Sequence, residues 1–368
     1  VSAQRGVLQA LTVALAIGAF ALSLVGTFLV RSGVLSSVHA FAQDPARGFF
    51  LLLMLALLIG AALAILALRA PKADVAGGFS WLSRETLVLS GCVLMLVATA
   101  SVLLGTLYPL ILDALGQGKV SVGPPYFDAV FVPLMVPVLL LLGAAPLVDW
   151  RHADAGRLAC LGWFAALAVA LGFLLPTAFA AFRWQAALGI GLGAWILLAT
   201  GASFRSRPLS LRAIGMALAH GGIAVGIVGI GLVTAFEHEQ SRVMKNGERL
   251  AFAGYEIEFK GVSEMPGPNY SAVLGSVSIS RNGVPLADLL PEKRIYHASK
   301  MPMSESAIHS ALSGDLYVVL GDALRLDTWT LRLFFKPFIG WIWGGAFLMA
   351  LGGLLAAIGS REPNVRAA

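Results

Sequence analysis

One histidine in this chain lies where an ionisable group is costly. His220 follows Arg212 by eight residues inside an apolar run, about 12 Å along a helix at ~1.5 Å per residue. No other ionisable side chain lies as deep in any of the apolar runs. Such groups inside a membrane are expensive to bury and tend to mark function. Its neighbours are small: Ala217, Ala219, Gly221, Gly222, Ala224, Gly226 and Gly229. Gly222 and Gly226 form a GxxxG pair, which admits another helix or a flat group at close range. Two readings follow. His220 is a hydrogen-bonded packing residue, or its neutral imidazole is an axial ligand to a metal cofactor, most naturally haem.

His39 is the second candidate. It sits between two apolar runs, in a segment where Val34, Val38 and Phe41 share one helical face. That pattern describes a short helix lying on the membrane surface. A histidine there either is simply solvated or holds a cofactor at the water–lipid boundary. His152 falls in a short loop, His238 stands between Glu237 and Glu239, and His297 and His309 have no ligand spacing. Cys92 and Cys160 lie far apart inside apolar runs and form no CxxC or CxxCH, so the chain is neither a c-type cytochrome nor a dithiol oxidoreductase. There is no nucleophile motif or phosphate loop, and no paired carboxylates within the spans.

The elements that must position these residues are read from hydropathy. Hydrophobic residues make up 58% of the chain and charged residues 12%, with eight apolar stretches of membrane-spanning length. They are Val7–Val30, Phe49–Leu68, Leu87–Leu115, Phe131–Val148, Leu158–Pro176, Ala186–Phe204, Ala213–Phe236 and Pro337–Gly359. Pro133, Pro137 and Pro146 make the fourth the least regular. The expected fold class is an all-α polytopic membrane protein of about eight spans, with a small all-β domain inserted before the last helix. The domains expected are 1–236, 237–333 and 334–368. Within the middle one, Tyr255, Ile257 and Phe259 alternate with charged residues, Arg281-Asn282-Gly283 reads as a hairpin turn, and Leu316–Leu320 and Trp329–Leu333 read as further strands. A barrel-like antiparallel domain is the expected form.

Orientation follows from basic residues in short loops. One side carries Arg5, Arg69, Lys72, Arg84, Arg151, Arg157, Arg205, Arg207, Arg212, Arg361 and Arg366. The other carries Arg31, Arg47, Lys119 and Arg183. Both termini are therefore expected in the cytoplasm, with residues 237–333 on the outer face. The net charge of +6 reports this bias and does not point to nucleic acid. With no initiator Met and no signal-peptide pattern, the first residues read as an interhelical loop of a longer chain. Proton- or ion-coupled transporters commonly place a carboxylate at mid-membrane. None is placed there in this chain, which counts against a transporter.

The run from Gly26 to Ala42, which contains His39, resembles the outward-loop motif of the CcmF/NrfE family of cytochrome c maturation haem lyase subunits. Leu104–Pro109, Val122–Phe127, Ala219–Gly222, Pro291–Tyr296 and Lys336–Gly345 resemble further motifs of that family and come in the same order. The resemblance implies a bacterial inner-membrane protein, with residues 237–333 periplasmic, that helps attach haem to apocytochrome c. It implies that His39 grips the iron of the incoming haem at the periplasmic face, and that His220 ligates a transmembrane haem b. The partners it implies are apocytochrome c, a haem chaperone, the thiol-reducing and apocytochrome-binding maturation subunits, and quinol as reductant. The family's other ligand in each pair and its tryptophan-rich haem segment are absent, so the chain alone is expected to be inactive. A polytopic transporter and a non-catalytic assembly scaffold are the alternatives.

Overall fold

A computed structural model describes residues 9–31, 45–69, 80–118, 120–150, 155–179, 181–206, 209–298, 300, 302–325 and 327–359. The long helices are α1 (Gln9–Arg31), α2 (Pro45–Arg69), α3 (Arg84–Ala114), α4 (Pro124–Ala144), α5 (Ala155–Phe179), α6 (Trp184–Ser203), α7 (Leu211–Phe236) and α8 (Ile339–Gly359). All eight are long and apolar enough to cross a membrane. Backbone N–H and C=O groups find no partner in hydrocarbon, so a spanning segment satisfies them internally as a helix. The molecule is a multi-pass membrane protein.

The fourth span departs from its expected bounds. It begins at Pro124, seven residues earlier than Phe131, and ends at Ala144. Proline suits a first helical turn because its missing N–H has no intrahelical acceptor there. At the other end Pro146 follows the helix, and the residue before a proline is driven from the helical region. The interior prolines 133 and 137 are accommodated within the helix.

The chain clusters into two compact units, Val1–Gly78 with Ala98–Phe131, and Phe79–Val97 with Val132–Ala368. In the first, Tyr126 seats its ring on Gly105, where a Cβ would lie 2.5 Å from Cε1, and its hydroxyl donates to Ser101 O at 3.0 Å. In the second, Arg84 ties two helix ends together. Its Nη2 donates to Pro146 O at 3.0 Å, its backbone N–H donates to Asp149 O at 3.0 Å, and its guanidinium lies over Trp150.

Helices α5 to α8 form a row in which each packs on the next through glycine. On α7, Gly215, Gly222 and Gly229 recur every seven residues, and on antiparallel α8 so do Gly345, Gly352 and Gly359. A Cβ on Gly222 would sit 2.5 Å from Gly345 O, and one on Gly352 would sit 2.4 Å from Ala219 N. The two backbones touch, which no larger residue permits.

Ten strands lie between α7 and α8. Strands β1 (His238–Lys245), β10 (Thr328–Pro337), β9 (Gly314–Arg325) and β8 (Ala307–Ala311) form one antiparallel sheet in that order. The second runs β2 (Arg249–Phe252), β3 (Tyr255–Pro266), β4 (Tyr270–Arg281), β6 (Glu292–Tyr296) and β7 (Pro302–Glu305), with β5 (Val284–Leu289) paired to β4. Among the described residues no ladder joins the two sheets, so the domain is a sandwich and not the expected barrel. The alternating pattern explains this. Ile257, Phe259, Val277 and Ile279 from one sheet face Leu316, Val318, Leu320, Leu331 and Leu333 from the other, and all nine are at most 1% exposed. The hairpin after Arg281 forms, with Asn282 and Gly283 both at positive φ between paired Arg281 and Val284. That is the two-residue turn whose twist matches the strands.

Candidate functional site

Ser210 starts α7. Its extended backbone and side-chain oxygen, accepting from Ala213 N at 3.2 Å, cap the first turn. From there His220 lies ~12 Å beyond Arg212 and ~24 Å short of Phe236, at ~1.5 Å per residue. The sandwich joins α7 at Phe236, so His220 is at the level remote from it.

The helix presents two packing surfaces. Gly215, Ala219 and Gly222 face α8, and Gly345 of α8, given a Cβ, would approach the backbone N of Gly226 to 2.7 Å. The Gly222 position of the GxxxG pair is therefore taken by a neighbouring helix, while a Cβ on Gly226 would meet nothing within 4 Å. Gly231, Val228 and the Ala224 carbonyl face α6, against Gly189 and Gly193. His220 is half-buried on the α6 side, and its Nδ1 lies 3.3 Å from Thr200 Oγ1. Thr200 is 4% exposed, and its carbonyl accepts from Ser203 Oγ at 2.7 Å.

This contact bears on the tautomer of the imidazole. The Thr200 oxygen can accept from Nδ1–H, which puts the ring's lone pair on Nε2, or donate to a bare Nδ1, which puts the proton on Nε2. The first arrangement is that of a metal-ligating histidine oriented by an outer hydrogen bond. A half-buried imidazole held this way is a side chain of the type that could ligate haem iron. The other histidines among the described residues, His238, His297 and His309, belong to the sandwich. His238 Nδ1 lies 2.9 Å from Phe236 O, His297 Nε2 3.2 Å from Ser271 Oγ, and the His309 ring meets Tyr255 edge-on. Among the described residues no three His, Cys, Asp or Glu side chains gather as a metal site. Cys92 and Cys160 are free thiols. His39 and His152 lie outside the described residues.

Sequence reasoning missed Thr200. Its signal was a polar side chain near the end of an apolar helix, facing no partner that spacing alone could name. It also missed an apolar cleft of about 400 Å³ between α4, α5 and α6, with Phe173, Phe182 and Trp184 at one end and Leu140 and Trp195 at the other. Trp195 Nε1 is spent on Leu140 O at 3.0 Å, and the cleft has no titratable side chain in its lining.

The fold and the imidazole site define a multi-pass membrane protein with a β-sandwich set between its last two spans. Residues 235–337 match the family model described as the CcmF C-terminal beta-sandwich. The cytochrome c-type biogenesis protein CcmF of Pseudomonas aeruginosa is 43% identical over 98% of this chain and 57% of its own length. CcmF of Escherichia coli is 40% identical over 98% of this chain and 57% of its own length. The biogenesis protein NrfE of Haemophilus influenzae is 34% identical, with 98% and 58% covered. The solved structure of a cytochrome c haem lyase CcmF superposes with a TM-score of 0.73 at 25% identity, over 96% of this chain and 55% of that one. The chain belongs to the CcmF/NrfE family, and it spans little more than half the length of these relatives.

Proposed function

We propose that the chain is part of a haem lyase subunit that positions haem for covalent attachment to apocytochrome c at the periplasmic face of a bacterial inner membrane. The observation that carries the reading is His220, an intramembrane imidazole oriented by a buried hydroxyl in a chain whose relatives are named for cytochrome c biogenesis. In this reading residues 1–236 form the seven-helix membrane region, 237–333 a periplasmic domain, and 334–368 the last span and a cytoplasmic tail.

His220 is one ligand of a resident haem b, which supplies reversible one-electron exchange when bound. In this reading Thr200 Oγ1 accepts a hydrogen bond from Nδ1–H, which would put the lone pair on Nε2, and the α6–α7 packing holds the ring's direction. His39, in the periplasmic segment, grips the iron of the substrate haem. Each thioether forms by adding a cysteine S–H across a vinyl C=C, with no net oxidation, so the step needs reduced thiols, ferrous iron and close placement. Apocytochrome c, a haem chaperone and the thiol-reducing and apocytochrome-binding subunits are the partners, and quinol is the source of electrons.

The test is a reduced-minus-oxidised visible spectrum of the purified full-length parent protein, alone and with His220→Ala. A b-type signal lost in the variant is expected. A signal that survives removes His220 as a ligand, and no haem in the parent leaves the scaffold reading. His39→Ala is expected to abolish holocytochrome c while the protein still inserts. Normal cytochrome levels in that variant would remove its role.

A further inference from the structure

The end of the sandwich nearest the membrane can be located from its own ladders. Strand β10 ends at Pro337 and α8 begins at Ile339, while α7 ends at Phe236 and β1 begins at His238. One residue therefore separates the domain from each span. Gly314 of β9 pairs with Pro337, and Ala311 of β8 pairs with Gly314. The turn between β8 and β9 thus projects past Pro337, to the level of Phe338 and the first residue of α8. At its tip stands Leu312, 104% exposed, with no neighbour covering it.

The second sheet brings two more tips to the same end. Tyr255 lies 6.0 Å from Phe335 and 6.1 Å from His309, ring to ring, and the Arg281 guanidinium lies 5.5 Å from the Tyr255 ring. The turn Ala253-Gly254 directly precedes Tyr255, and the turn Asn282-Gly283 directly follows Arg281. Val284, paired with Arg281, is 60% exposed. Lys336, one residue before the end of β10, lies 5.8 Å from the Tyr317 ring, with Asp315 opposite it on β9. Beyond the junction Phe338 packs edge-on to Trp341, and Trp341 and Trp343 are exposed on the first turns of α8. Trp at that depth marks the interfacial belt of a bilayer.

An exposed leucine is ordinary on a protein surface. This one is at the height where the bilayer's own interface begins, between basic side chains and an aromatic belt. We propose that the membrane-facing end of the sandwich is a lipid-binding surface, in which Leu312 enters the leaflet and Arg281 and Lys336 lie among the phospholipid headgroups. Two one-residue junctions and the Leu312 tip then give the domain three points of attachment, which hold its height and tilt. Apolar insertion beside basic residues is how interfacial segments bind bilayers.

The full-length parent protein, with Cys92→Ala and Cys160→Ala, is reconstituted in phosphatidylethanolamine–phosphatidylglycerol vesicles. A nitroxide is placed by Leu312→Cys, by Ser313→Cys, or by Asn269→Cys in the β3–β4 turn. Strand β3 alone spans ~36 Å from Tyr255 to Pro266 at ~3.3 Å per residue, so the last label reports water. Collision with dissolved oxygen and with a water-soluble nickel chelate is then measured. At 312 oxygen is expected to exceed nickel several-fold, with the order reversed at 269 and 313 between them. Nickel dominating at 312 overturns the proposal. Low collision with both reagents at 312 and 313 also overturns it, because the tip would then be covered by protein.

Discussion

The β-sandwich and the row α5–α8 solve the same problem by opposite means. The sandwich buries large side chains: Phe259, Ile257, Met244 and Leu331 have no exposed surface and meet across two sheets. The α7–α8 contact is built where side chains are missing, with Gly222 against Gly345 and Gly352 against Ala219. The solvent explains the contrast. In water, removing apolar area is itself the driving force. Lipid tails are as apolar as leucine, so helices there gain chiefly by letting backbones approach and making many van der Waals contacts. A large residue is the asset in one region and the obstruction in the other.

The sharpest way to break the comparison is therefore the same kind of change in reverse directions. Phe259→Ala should destabilise the sandwich by about 3–5 kcal/mol, the usual cost of emptying an aromatic core site, read as increased proteolysis and a lower thermal transition of residues 237–337. Gly222→Leu should part α7 from α8, at a cost of about 1–3 kcal/mol for an overpacked contact. Gly226→Ala should be tolerated, since a Cβ there meets nothing within 4 Å. Cysteine pairs placed across the two helices would read both: cross-linking lost in the first variant and kept in the second. Equal behaviour of the two would mean that the ladder does not set the helix spacing.

Smaller effects sharpen the site. Thr200→Val removes the oxygen that orients His220 and should weaken haem retention in the full-length protein roughly tenfold, while Thr200→Ser should restore it. A merely space-filling threonine would give the opposite order, because valine matches its shape. The smallest effect is expected at the exposed face of the sandwich. Hydrogen bonds from Ser278 and then Lys260, together with the Lys260 charge, hold Asp288 below the ordinary carboxylate range. A carboxylate depressed on folding contributes stability above its unfolded value, and loses that contribution as pH falls through the folded one. Asp288→Asn should therefore leave the acid limb of unfolding slightly flatter and the neutral region almost unchanged. Full exposure keeps the contribution small.

Much of the architecture was legible because single side chains announced it. Eight apolar runs name eight spans, and Tyr255, Ile257 and Phe259 alternate with charges, as a half-buried strand must. Asn282-Gly283 names its own turn, since few other pairs adopt positive φ twice. His220 was legible as an anomaly, an ionisable group in an apolar run. Its partner was not. Thr200 and His220 meet only because Gly189, Gly193 and Gly231 let α6 and α7 close together. The fourth span's start was misplaced because a window of apolar residues does not register that Pro124 and Pro125 suit a first turn.

What the sequence determined by itself are the properties carried by residue type along the chain: which segments cross lipid, which alternate, where turns fall, and that one imidazole is out of place. These depend on transfer free energy and local backbone preference, both of which act within a few residues. What only the tertiary structure decided is which face of α7 belongs to which neighbour. It gave the Gly215–Gly222–Gly229 face to α8 and turned His220 toward Thr200, and it made two sheets of ten strands where a barrel was equally consistent with the pattern. A glycine says that something comes close, but having no side chain it cannot say what. That is settled only when the partner's backbone arrives.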